Sequence, residues 1–269
     1  MGVRIAVAAV ALALAASPAD YVASHQQPDG GFAEPGGTSD PALTAGSVLG
    51  LVAAGRDPGP SAAEYMTSQP ASGATQIALR VLALRALGRE ADADVARLEA
   101  LRRENGRIGP LVNSTIWSVL ALRAADRPVV TSIRYLVRAQ HRSGGWAWYP
   151  RGAPDSNDTA AAVQALRAGG LGARSKPIRK ALVYLRKLQR ADGGFSLVRG
   201  RASDAQSTAW AIQAFVAAGR APGRRPFRYL AGLRRADGSY RYSKMYATTP
   251  VWVTSQVLPA LARRPFPLR

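Results

Sequence analysis

Cysteine is absent from this 269-residue chain, and histidine occurs only as His25 and His141. Without cysteine there are no disulfides, no thiolate zinc ligands and no cysteine nucleophile. Two imidazoles are too few for a histidine-based metal centre or general-base dyad, so neither a metal nor another cofactor is expected. Acidic residues are also scarce, 17 against 36 lysines and arginines, giving a formal net charge of +19. Such a field can attract nucleic acid, anionic lipid or acidic wall polymers. Yet the positive charge is nearly all arginine, spread along the whole chain, with lysine only at Lys176, Lys180, Lys187 and Lys244. No basic stripe interleaved with aromatics appears, so nucleic acid is not expected as a partner. No apolar run, the N-terminal one included, is long enough to cross a bilayer.

That N-terminus reads as a secretory leader over residues 1–17. Arg4 forms a thin basic region, Ile5 to Ala16 is apolar, and small residues follow. The mature chain is expected to be exported, with residues 18–269 forming one domain.

Self-similarity decides the fold. A Gln-x-x-x-Gly-Gly-aromatic phrase occurs at Gln26–Phe32, Gln140–Trp146 and Gln189–Phe195. Weaker copies stand at Arg102–Ile108 and Arg234–Tyr240, and a remnant begins at Gln69. After each comes a polar residue and a helix rich in small apolar residues, starting near Thr44, Thr75, Ser114, Thr159, Thr208 and Val251. Six further helices alternate with these and are amphipathic. In one, Ile178, Leu182, Leu185 and Leu188 share a stripe opposite Lys180, Arg186 and Lys187. Helices apolar on nearly all sides must be enclosed, and amphipathic ones need a wet face. Alternating the two kinds six times predicts an all-α, single (α/α)6 toroid, an inner ring of helices wrapped by an outer one.

The Gln-x-x-x-Gly-x-aromatic phrase resembles the QW motif of the prenyltransferase and squalene-cyclase repeat superfamily (the squalene-oxidase or terpenoid-cyclase repeat). The resemblance runs from about Ala19 to Ala262. It implies that Gln26, Phe32, Gln140, Trp146, Gln189 and Phe195 tie neighbouring repeats together. It also draws attention to Asp155-Ser156-Asn157-Asp158-Thr159-Ala160, which resembles the Asp-x-Asp-Asp-Thr-Ala motif of class II terpene cyclases. There the middle aspartate protonates an alkene or epoxide. Here Asp155 and Asp158 match the flanking acids and Asn157 holds the middle position, where an amide cannot donate that proton. A cyclase reading therefore rests on Asp155 and Asp158 as acids. Read as local structure, the same residues are helix N-caps, as Asp40 with Thr44, Asn113 with Ser114, and Asp204 with Ser207 and Thr208 are in other repeats. Other chemistries that the family implies lack their residues, namely the Asp-Cys-His zinc site of protein prenyltransferases and the Cys-Gly-Glu-Gln thioester.

Aromatic residues concentrate in the loops that should gather at one mouth of the ring. Trp146, Trp148 and Tyr149 lie in one loop, and Tyr240, Tyr242 and Tyr246 in another. Trp117, Trp210 and Trp252 stand near the starts of inner helices. With Asn157 and Asp204 on the same rim, these form the expected ligand site, for an apolar isoprenoid-like chain, a carbohydrate or a protein partner. The favoured function is an exported, non-catalytic binding toroid, the alternative a proton-initiated cyclase using Asp155 or Asp158. A carbohydrate-active enzyme is the third reading. A dry apolar cavity would favour the cyclase, a wet groove with two facing carboxylates the third, and a filled centre the first.

Overall fold

The computed structural model describes residues 16–268. The leader assigned to residues 1–17 thus lies outside the described residues, except for Ala16 and Ser17.

Outer and inner helices alternate along the chain. The outer ones are α1 (Pro18–Ala23), α3 (Pro60–Ser68), α5 (Asp92–Ala100), α7 (Val130–Arg138), α9 (Lys176–Leu188) and α11 (Arg224–Ala231). The inner ones are α2 (Pro41–Ala53), α4 (Gly73–Ala86), α6 (Val112–Ala124), α8 (Ser156–Ala168), α10 (Ala205–Ala217) and α12 (Pro250–Leu261). Each inner helix packs on the next, and α12 packs on α2 to close the ring. The small side chains of the inner helices allow this. On α8, Ala160, Ala161, Ala162, Val163 and Ala165 are all buried. The outer α9 buries Ile178, Ala181, Leu185 and Leu188 and leaves Arg186 and Lys187 exposed. The expected (α/α)6 toroid is the observed fold.

The repeated phrases supply the joints. In five repeats the backbone N–H of the motif's last residue donates to a threonine hydroxyl on the following inner helix. The pairs are Phe32 to Thr44, Ile108 to Thr115, Trp146 to Thr159, Phe195 to Thr208 and Tyr240 to Thr254, at 2.8–3.0 Å. Each threonine is fully buried, so the bond satisfies an N–H that has no access to water. The motif glutamines brace the turn. Gln140 Nε2 donates to Gly144 O at 2.8 Å and to Pro177 O at 2.9 Å, at the start of the next outer helix. Gly144 has φ +100°, and a Cβ there would stand 2.5 Å from Lys180 O, so only glycine fits. At Phe195–Ser196 (β1) and Ser203–Asp204 (β2) the turn extends into a two-stranded antiparallel ladder, a small strand pair absent from the sequence reading. The second repeat lacks the turn. There Arg80 makes a bidentate bond to the buried Asp94 (2.6 and 2.7 Å) and donates to Gln69 O, tying α4 to α5.

Ring closure repeats these devices. The sixth turn packs Gly238 against the carbonyls of Ala16 and Ser17, and Ser17 caps α1 through Asp20 N. On the lower rim, Arg123 and Arg167 donate to Ala168 O and Ala217 O on the next inner helix, and Arg264 to Val52 O. Several arginines thus neutralise the carbonyls left free at helix C-termini.

Candidate functional site

The inner helices point their N-termini to one mouth, where a second joint operates. For three of the inner helices the loop of the following repeat offers a carbonyl to the first turn. Asn113 N donates to Trp148 O, Ser156 N to Leu197 O and Ala205 N to Tyr242 O, at 3.1, 2.9 and 2.7 Å. Trp148, Leu197 and Tyr242 stand two residues past the motif aromatic. At ring closure that position is Glu34, whose carboxylate accepts from Val251 N and Trp252 N at 3.0 and 2.8 Å. A rim held this way leaves the centre of the inner barrel open.

That centre is a cavity of about 380 Å³, within the size range of small-molecule pockets. Its walls are apolar and aromatic, with Trp117, Trp148, Trp210, Trp252, Phe266 and Leu79 among them. Trp117 and Trp210 meet edge to face at 5.5 Å, and Phe266 lies 5.9 Å from Trp210. Asp155 and Asp158 are the carboxylates on this wall, one turn apart on α8.

Their environments differ. Asp155 is the N-cap of α8, its Oδ1 accepting from Asp158 N at 2.8 Å. Asp40 and Asp204 cap α2 and α10 in the same way, so Asp155 does scaffold work. Asp158 does not. Three residues past the cap, the equivalent positions are Leu43, Ser114 and Ser207, and only this repeat carries an acid there. Asp158 is 3% exposed, and burial is the first cause that pushes its carboxyl up, to about 8. The Asp155 carboxyl beside it adds to the rise, while a 2.6 Å bond from Asn113 Nδ2 to Asp158 Oδ1 opposes it. Asp155 is also raised, chiefly by burial. Both shifts favour the neutral form, the larger one at Asp158, on an apolar wall.

Two buried amides face the same space. Asn113 Oδ1 and both polar atoms of the Gln213 side chain have no hydrogen-bond partner among the described residues. Gln206 Nε2 donates to Gln256 Oε1 at 2.8 Å, and Trp210 Nε1 shares that acceptor.

The structure brings together Asp155, Asp158, Asn157, Trp117, Trp148, Trp210 and Trp252 of the residues singled out in the sequence. It places the others elsewhere. Trp146 is fully buried under its outer helix, its indole N–H donating to Leu136 O at 2.8 Å. Asp204 is a buried cap bonded to Ser207, and Tyr242 contributes its carbonyl to the rim. Tyr149 and Tyr246 are more than half exposed and lie off the cavity wall. Asn113 is the main correction to the capping scheme, because α6 begins after Leu111 and Asn113 bonds Asp158 instead. Gln213 and Phe266 had no mark in the sequence; a glutamine inside an otherwise apolar inner helix was the available signal for the first.

Residues 114–253 match the family model of the squalene-hopene cyclase C-terminal domain. The chain belongs to that family. No curated protein sequence matches it. Among solved structures it is similar to a protein from Actinoplanes, at 20% identity and TM-score 0.70, covering 92% of this chain and 97% of that one. It is also similar to a variant of the type II terpene cyclase MstE from Scytonema, solved with geranylgeranyl dihydroxybenzoate as substrate. There the identity is 16% and the TM-score 0.69, with 92% and 95% coverage. A glycosidase variant shares the fold equally well, at 12% identity and TM-score 0.68, with 92% and 95% coverage. Likeness at this level fixes the toroid, and the chemistry has to be argued from the site.

Proposed function

We propose that this member of the squalene-hopene cyclase family is a proton-transfer enzyme acting on a prenyl chain, with Asp158 as the acid. The observation that carries this is the Asp158 carboxyl, buried beside a second carboxylate on the wall of an apolar, aromatic-lined cavity that favours its neutral form. Asn113 occupies Oδ1, which leaves Oδ2 to carry the proton. In the reaction that proton moves to one carbon of an alkene, whose π electrons form the new C–H bond and leave a cation on the neighbouring carbon. The faces of Trp117, Trp210, Trp252 and Phe266 stabilise that charge as further double bonds attack it. Loss of a proton from the product cation to the Asp158 carboxylate returns the acid, so the net change is an isomerisation. The apolar wall weighs against glycoside chemistry, as does the placement of both wall carboxylates, Asp155 and Asp158, on one side with none facing them among the described residues.

A non-catalytic binding toroid is the second reading, and Asn157 favours it. The structurally similar MstE was solved with a prenylated substrate, so both readings begin from the same class of ligand. Incubating the protein with squalene and with geranylgeranyl diphosphate, followed by mass spectrometry for cyclised products, separates them. Product from the wild type, lost in Asp158→Asn, supports the acid. Product only from Asn157→Asp, or from neither, would establish a binding pocket without an acid.

Export belongs to the proposal as well, supported by the charge-led apolar stretch before Ala16. A cut after Ser17, as a leader over residues 1–17 implies, would remove the Ser17 cap and the Ala16 carbonyl that accepts from Arg234 Nη2, and N-terminal sequencing of secreted protein checks where the cut falls.

A further inference from the structure

The lower end of the cavity is closed by a segment that belongs to no repeat. Beyond α12 the chain turns at Arg263, and Arg264 Nη1 fastens it to Val52 O at the C-terminal end of α2. It then crosses the ring to α8, where Phe266 N donates to Gln164 Oε1 at 2.7 Å. In the ring order α2 and α8 stand opposite each other, so the segment spans the lower opening. Phe266 and Leu268 are 8% and 5% exposed. The Phe266 ring rises between Trp117 and Trp210, at 6.5 and 5.9 Å, and forms part of the cavity wall. Asp158 stands six residues before Gln164 on α8, or roughly 9 Å higher along the axis at the usual rise per residue. An apolar chain that meets Asp158 at the upper level therefore runs into Phe266 at the lower.

We propose that the segment after α12 is the floor of this cavity and that the Phe266 ring sets the length of the apolar chain the cavity accepts. The inference rests on the prenyl-chain reading for the class of ligand, and it is independent of whether Asp158 acts as an acid. A floor made by a separate strap can change depth through one residue while the ring stays intact. Repeat-to-repeat packing lies elsewhere, in the inner-helix contacts, the glutamine joints and the rim carbonyls.

The test measures binding rather than turnover, using the full-length protein with farnesol, geranylgeraniol and squalene as probes in calorimetry or native mass spectrometry. Phe266→Leu shortens the plug with little change in chemistry, and Phe266→Trp raises it. The ratio of affinities, longer chain over shorter, should rise about tenfold in Phe266→Leu and fall in Phe266→Trp. Asp158→Asn should leave the ranking where it is. A ranking unmoved by both Phe266 variants, in proteins whose melting shows them folded, overturns the floor and leaves the acid standing. A ranking that moves while no variant turns over any prenyl substrate removes the acid and keeps the floor. If none of the three probes binds to any variant, both fall.

Discussion

Asp158→Asn keeps the shape of the neutral acid and its bond from Asn113 but cannot ionise, so its effect on stability should depend strongly on pH. The unfolded carboxyl titrates near 3.8 and the folded one near 8. For an acid raised by folding, the stabilising contribution is complete below the unfolded value and is lost as pH climbs through the folded one. Each pH unit between costs about 1.4 kcal/mol, which sets a ceiling of about 6 kcal/mol over the whole window. Water entering the cavity beside an ionised Asp158 lowers that figure, and we expect a difference of about 2–4 kcal/mol. In urea unfolding, Asp158→Asn and wild type should be nearly equal at pH 4. The variant should be the more stable by about 2–4 kcal/mol at pH 8.5. A difference that stays flat with pH would refute the reasoning, because Asp158 would then ionise as freely in the fold as out of it.

Two other substitutions probe the frame and the pocket. Thr159→Val removes the acceptor of the buried Trp146 N–H with little change of shape and should cost about 1–3 kcal/mol. Thr208→Val, at the same joint one repeat on, should match it in urea unfolding; a cost near zero would mean that the joint is not what holds the turn. Gln213→Leu takes two unpartnered polar atoms out of the cavity wall and should stabilise the ligand-free protein by about 1 kcal/mol, read as a raised melting temperature. A lowered one would mean that Gln213 is already satisfied.

The ring was legible in the sequence because its signals repeat. Six alternations of small-residue and amphipathic helices give the two layers, and the glycine turn with its following threonine marks the joint in five of the repeats. Single residues were harder to place. Trp146 and Trp148 lie two apart in one loop, yet the first is fixed under an outer helix by Leu136 O and the second reaches the cavity. No periodicity separates them. Asn113 sits where a cap is expected, but α6 starts at Val112, which turns Asn113 into the lumen. The Asp155–Asp158 pair was visible as a motif. Its division of labour was not, since spacing does not show that Asp155 accepts a backbone N–H as a cap while Asp158 sits beside it and bonds Asn113. The floor left no trace in the repeats because the strap that carries Phe266 lies outside them.

The proton itself tests the account most directly. The protein would be incubated in deuterium oxide with the prenyl substrate that it turns over, and the product examined by mass spectrometry and NMR. If Asp158 delivers its exchangeable proton to an alkene carbon, each product molecule carries one deuterium at the carbon protonated first, and Asp158→Asn makes no labelled product. Product that forms without the label, or with the same label in Asp158→Asn as in wild type, would contradict the central claim.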